Sequence, residues 1–275
     1  MKTICLLLAS LCIPACISAA TPASEAVNPI ANISQNPGLS SIFHTWGFIG
    51  DSLSSGEHES HNDDGSMSYN DLYEYSWGQR ICAATGATGD NYSQGGETAG
   101  GWIEHFWDKP NNRNNNIDAK VSPKQAYIIA LGVNDVNRGD EPGNVATDIN
   151  DADYTLNANT FAGNYGGIIQ RVKSIQPDAK FFVVTTPVGR YVSPAMNGVI
   201  RDIADHFDNT YLIDLEKYAV PYDEEFSDRY FMGGHMTAAG YQYTAWLMMT
   251  YIDHIVASNP AEFKQVPYIG TGLKY

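Results

Sequence analysis

Positive charge is scarce in this sequence: 16 Lys and Arg stand against 31 Asp and Glu in 275 residues, a formal net charge of -15. A phosphate backbone or an anionic bilayer is bound by clustered basic residues, and no such cluster is present, so nucleic acid and anionic membrane surfaces are poor candidate partners. Cysteine is scarce as well. Cys5, Cys12 and Cys16 fall within the first twenty residues, and Cys82 stands alone in the rest. Removal of those twenty residues leaves no pair for an intrachain disulfide, and Cys82, inside an apolar stretch, reads as a buried small hydrophobe. Long apolar runs are missing too. The one extended run, Ile4 to Ile17, is shorter than the roughly 20 residues a spanning helix needs, and no transmembrane segment is expected.

What that run does fit is an export signal. Lys2 precedes it and the small residues Ser18, Ala19 and Ala20 follow, the order of a cleavable secretory leader. We read residues 1–20 as signal peptide, 21–41 as a Pro-, Asn- and Ser-rich lead, and 42–275 as a single domain in a secreted or periplasmic protein. Ile13-Pro14-Ala15-Cys16 resembles a bacterial lipobox, which leaves a lipid anchor at Cys16 open as an alternative to free secretion.

Apolar residues make up 43% of the chain, enough for a sizeable core, and they alternate between two patterns. Thr45–Gly50, Gln125–Leu131, Lys180–Thr185 and Thr210–Leu215 are short apolar runs of buried-strand type. Between them lie helical periodicities: Asp71 to Thr85, stopping at Gly86; Phe161 to Ile175, before Pro177; a helix opened by Ser193-Pro194; and Thr237 to Ile255. Strands alternating with helices predict an α/β fold with a mostly parallel sheet of about five strands, covered by helices on both faces. Chemistry is then expected beyond the carboxyl ends of the strands.

Those ends carry polar, reactive residues. The first strand runs into Gly50-Asp51-Ser52-Leu53. Gly95-Gly96-Glu97-Thr98 follows later, Gly132-Val133-Asn134-Asp135 ends another strand, and Gly233-Gly234-His235 precedes the last helix. Ester hydrolysis needs a nucleophile, a base, and donors aimed at the developing oxyanion. Ser52, His235, and the set of Ser52 N–H, Gly96 N–H and Asn134 amide supply these, whereas any one of them alone reads as a turn or helix-entry residue. In this order the blocks, from Trp46 to Ile255, resemble the SGNH (GDSL) esterase and lipase family. The resemblance implies a three-layer flavodoxin-like fold, Ser52 as nucleophile, His235 as base, an oxyanion hole of Ser52, Gly96 and Asn134, and no cofactor.

The last block departs from the family pattern, which has Asp three residues before the histidine; here that position is Met232. A mis-oriented imidazole costs up to about 10,000-fold in rate, so another acceptor is expected. A backbone carbonyl near Met232 is slightly favoured over Asp228, Glu225 or Glu224 on the preceding acidic segment. The stretch Glu57 to Asp64 holds metal-capable side chains without metal-site spacing and reads as a solvated loop beside the active site. Trp102, just after the second block, reads equally as core or as a substrate-stacking wall. No Gly-x-Ser-x-Gly elbow occurs, which argues against the α/β-hydrolase arrangement. The expected activity is hydrolysis of carboxylic esters, O-acetyl or other short acyl groups on carbohydrate foremost. A lipase or lysophospholipase, or an inactive carbohydrate-binding protein, is the alternative.

Overall fold

The computed structural model describes residues 27–274. The proposed signal peptide and Cys16 lie outside them. The strands are β1 (Thr45–Gly50), β2 (Glu57–His61), β3 (Met67–Asp71), β4 (Thr88–Ser93), β5 (Ala126–Ala130), β6 (Lys180–Val184), β7 (Thr210–Ile213), β8 (Phe231–Met232) and β9 (His235–Met236). Four long helices matter here: α1 (Trp77–Thr85), α2 (Phe161–Ile175), α3 (Pro194–His206) and α4 (Ala238–Ser258). The central sheet has the order β4-β1-β5-β6-β7, all neighbours parallel. Counting only these five strands, the order is 2-1-3-4-5, that of flavodoxin-like folds, whose ligands sit where the order reverses. In this chain that point lies between β1 and β5.

Side chains alternate across the sheet and build two apolar layers. Trp46, Phe48, Ile128, Phe182 and Ile213 pack toward α1 and α4, with Trp77, Ile81, Tyr241 and Met248. Ile49, Tyr127, Ile129, Phe181 and Val183 pack on the opposite face toward α2 and α3, with Phe161, Tyr165, Ile200 and Ile203. Burial of each such side chain contributes roughly 1.5–3 kcal/mol. The lead segment joins the first layer. Ile30 is buried in it, against the layer that also holds Phe43, and the Ser34 N–H donates to Thr250 Oγ1 on α4 at 2.9 Å.

Several boundaries differ from the sequence expectation. The helix expected over Asp71 to Thr85 starts only at Trp77, because Ser76 caps it, accepting from the Gln79 N–H at 3.2 Å. Residues 67–71 instead pair antiparallel with 57–61 in the β2–β3 hairpin. Edge strand β4 has the polar sequence Thr-Gly-Asp-Asn-Tyr-Ser, which carries no buried-strand signal. The helices expected to open at Ser193-Pro194 and at Thr237 do so, with Ser193 and Thr237 as their caps.

Candidate active site

Ser52 owes its place to Asp51. Strand β1 ends at Gly50, where a Cβ would collide with Ser54, and the buried Asp51 carboxylate accepts the Leu53 N–H at 2.9 Å. That bond caps the short helical turn Ser52–Ser55 and sets Ser52 at its first position, half-buried beyond the carboxyl end of a central strand. Burial pushes the Asp51 carboxyl up to about 7; the Leu53 N–H opposes the shift, and the nearby Asp135 and Glu57 add to it.

Gly96 follows β4 in a turn closed by the Glu97 N–H to the Gln94 carbonyl at 3.3 Å. Its φ of +77° is a conformation that favours glycine, and Arg138 donates to its carbonyl at 2.7 Å. The neighbouring Glu97 is buried and held by Gln94 at 2.8 Å and His105 at 2.9 Å. Asn134, just past β5, directs its amide to the Glu97 carbonyl at 3.1 Å and to Asp51 Oδ2 at 3.4 Å. Asp135 accepts the Ala99 N–H at 2.9 Å. The loops beyond β1, β4 and β5 are thus tied together around Asn134.

His235 opens β9 in a tight hairpin turned by Gly233-Gly234. Both ring nitrogens face carboxylates from β2: Nδ1 lies 2.9 Å from Glu59 Oε1, and Nε2 lies 3.1 Å from Glu57 Oε1. Glu59 Oε1 also accepts the Gly234 N–H at 2.6 Å. Burial raises the Glu59 carboxyl, but the hydrogen bonds from His235 and Gly234 outweigh it and hold the group below the usual range. Glu57 is raised by burial against the opposing charge of His235, and its other oxygen meets Arg113 at 3.1 Å. The Ser52–Ser55 turn packs against β9, so serine and histidine blocks share one end of the sheet.

The groups expected at the histidine ring are not the ones found there. The Met232 backbone pairs with His235 across the β8–β9 ladder, Glu224 and Asp228 are exposed, and Glu225 pairs with Arg229. The carboxylates at the ring come from the segment read as a solvated loop. Its signal is faint: Glu57 and Glu59 are spaced as same-face residues of a strand and Asn62 to Gly65 forms the hairpin turn that follows, but the strands carry no apolar alternation. Arg113, which holds Glu57, was not anticipated either. Trp102 is fully buried, stacks on Phe106 at 5.9 Å and donates its indole N–H to the Tyr92 carbonyl at 2.9 Å. It belongs to the core and offers no face to a ligand.

A cavity of about 120 Å³ opens beside this end of the sheet. Asp51 and Leu53, which flank Ser52, and Gly233 and Met236, which flank His235, line it together with Leu131 and Val184. Its floor is apolar, and Arg190 and Tyr191 stand among its polar lining groups.

Similar folds occur in solved structures. A family two carbohydrate esterase from Clostridium thermocellum, in complex with cellohexaose, aligns with 78% of the chain at 16% identity and TM-score 0.52; the alignment spans 65% of that protein. The psychrotrophic esterase EstA from Pseudoalteromonas sp. aligns with 78% of the chain and 99% of its own, at 16% identity and TM-score 0.51. A protein from Lactobacillus plantarum aligns with 77% and 97%, at 15% identity and TM-score 0.55. No match by sequence is found among curated proteins. Residues 48–243, most of the chain, match the GDSL-like lipase/acylhydrolase family, so the protein belongs to that family and is a carboxylic ester hydrolase.

Proposed function

We propose that the protein removes short acyl groups, O-acetyl foremost, from carbohydrate through an acyl-Ser52 intermediate. Ser52 Oγ attacks the acyl carbonyl while His235 Nε2 accepts its proton, then passes it to the leaving sugar hydroxyl. Water deacylates the serine by the same route in reverse. The Ser52 and Gly96 N–H groups and the Asn134 amide receive the oxyanion. This step requires Nε2 to turn from Glu57 toward Ser52. The observation that carries the reading is the gathering of the serine turn, the glycine turn, Asn134 and His235 at the strand-order reversal.

For the alcohol side, Tyr69 supplies the aromatic face that Trp102 does not: it is 54% exposed, with its ring 5.6 Å from that of His235. The cellohexaose bound by the Clostridium neighbour adds support by analogy alone. The lipase reading draws on the apolar cavity beside Ser52. The inactive binding-protein reading loses its motive, the empty position at Met232, once a carboxylate stands at the ring. The leader pattern read in the sequence of residues 1–20 supports export. The test is acetate release from acetylated oligosaccharides by the wild type and by Ser52→Ala. We expect release by the first and a loss of several orders of magnitude in the second, with unchanged circular dichroism. Retention of a tenth of the rate in Ser52→Ala would remove the serine from the mechanism.

A further inference from the structure

We propose that Glu59 is the residue that positions His235, standing in for the aspartate that the chain lacks at Met232. The inference rests on the reading of Ser52 and His235 as the catalytic pair.

Three independent features place the carboxylate by construction. First, its backbone is fixed in the β2–β3 ladder, where Glu59 pairs with Tyr69. Second, one oxygen, Oε1, receives both the Gly234 N–H at 2.6 Å and the His235 Nδ1 at 2.9 Å, so the bond that orients the carboxylate also orients the ring. Third, the Gly233-Gly234 turn leaves room for it. Gly233 has φ +64°, and a Cβ there would collide with the Glu59 carboxylate. The side chains of Glu59 and His235 are 11% and 15% exposed, so water competes little for the contact. The shift of Glu59 below the ordinary carboxylate range keeps it ionised wherever the histidine works as a base.

A carboxylate at Nδ1 does two things. It holds the proton on Nδ1, leaving the Nε2 lone pair for the serine, and it stabilises the positive ring that forms when the serine proton arrives. The groups around the ring are Glu57 at Nε2 with its partners Arg113 and Asp71, Tyr69 at the ring edge, and Tyr191, whose OH donates to the Gly234 carbonyl at 2.9 Å. Arg190 donates to the Gly233 carbonyl at 3.2 Å. Of these, Glu59 is the group hydrogen-bonded to Nδ1.

Two substitutions separate orientation from charge. Glu59→Ala removes both, and kcat for an aryl acetate should fall about 1000-fold or more with KM within about threefold. Glu59→Gln can keep Oε1 as acceptor for both N–H groups while losing the charge. It should lose about 10- to 100-fold in kcat and move the acid limb of kcat/KM to lower pH, a change that a merely structural role would not produce. Asp228→Asn, Glu225→Gln and Glu224→Gln should stay within about threefold of wild type. Thermal unfolding on the same samples identifies a variant that fails to fold, in which case Glu59→Gln decides the matter. Wild-type kcat and an unmoved acid limb in Glu59→Gln, or a collapse in one of the other three, would overturn the proposal. Ser52→Ala run in parallel distinguishes the failures: if it stays active, the catalytic pair itself is wrong, and if it is dead while both Glu59 variants are normal, only Glu59 is misassigned.

Discussion

Glu57 and Glu59, two residues apart on one face of β2, grip the His235 imidazole from opposite ends, Glu57 at Nε2 at 3.1 Å and Glu59 at Nδ1 at 2.9 Å. The two contacts have opposite consequences for the proposed chemistry. The Glu59 contact leaves the reactive nitrogen free, whereas the Glu57 contact occupies it. On the proposed reading, the nitrogen that acts as base is paired with a buried carboxylate that is itself anchored to Arg113.

Glu57→Gln tests that restraint. The amide retains the size of the side chain but removes a negative charge that favours a protonated ring, so less alkaline conditions suffice to free Nε2. We expect the acid limb of kcat/KM to move to lower pH by about half a unit or more, with the plateau rate within about threefold. Rate profiles from pH 5 to 9 with an aryl acetate provide the measurement. Superimposable profiles would show that Glu57 does not hold Nε2 in the working enzyme.

Asp51 makes stability depend on pH in an unusual direction. Its carboxyl titrates near 7 in the folded protein against 3.8 in the unfolded chain, so the native state keeps a proton that the unfolded state has already released. The sign follows: the folded state is penalised progressively as pH rises from about 4 to 7, by roughly 4 kcal/mol at most, and the penalty is constant above that. Asp135, pushed up to about 6 by its own burial, acts in the same direction. Asp51→Asn abolishes the Asp51 part while its Oδ1 still accepts the Leu53 N–H. Relative to wild type, the variant should gain stability between pH 5 and pH 8 in urea unfolding. A gap between the two proteins that is equal at both pH values would contradict the burial of an uncompensated carboxyl.

Asn134 joins catalysis to architecture. Its amide is proposed to receive the oxyanion, yet at rest it bonds the Glu97 carbonyl at 3.1 Å and Asp51 at the longer 3.4 Å, the weaker bond being the one to yield. Asn134→Ala should lower kcat about 100- to 1000-fold. It should also cost about 1 kcal/mol of stability, because the Glu97 carbonyl loses a donor. Kinetics and urea unfolding on one preparation check both, and a stability loss without a kcat loss would leave Asn134 a structural tie alone.

The parts of this site that were legible in the sequence are those where one residue type is demanded at a strand end. Ser52, Gly96 and Asn134 each follow a strand of the central sheet, and apolar runs marked β1 and β5 as buried. Strand β4 was not visible because an edge strand needs no apolar alternation on both faces, and its Thr88-Gly89-Asp90-Asn91 start reads as loop. Glu59 was missed for a related reason. Spacing along the chain points to a partner close to the histidine in sequence, whereas the structure supplies one from 176 residues away, through a hairpin whose polar strands lack the hydrophobic pattern that announces a sheet. Trp102 shows the converse error: aromatic content near a reactive block says nothing of which side of the backbone it faces.

On the proposed reading, the acyl group enters the cavity beside Ser52. Its walls are largely apolar, with Leu53, Leu131, Val184, Leu215 and Met248 among them, which suits the hydrocarbon part of an acyl group. Ala130, at the end of β5 opposite Gly50, lies on its wall, so a larger residue there takes up cavity space while leaving Ser52, His235 and Asn134 unchanged in identity. In Ala130→Leu, hydrolysis of octanoyl esters should fall about tenfold or more relative to acetyl esters, since each methylene displaced from an apolar pocket is worth about 1–3 kcal/mol. In the wild type, specific activity should be greatest within the acetyl-to-butyryl range and small for palmitoyl. A ladder of acyl esters measured on both proteins, with unfolding curves to exclude overpacking of the core, provides the comparison. An equal loss at every chain length in Ala130→Leu would mean that the acyl group lies elsewhere, and wild-type activity that climbs through octanoyl to palmitoyl would favour the lipase reading over the sugar esterase.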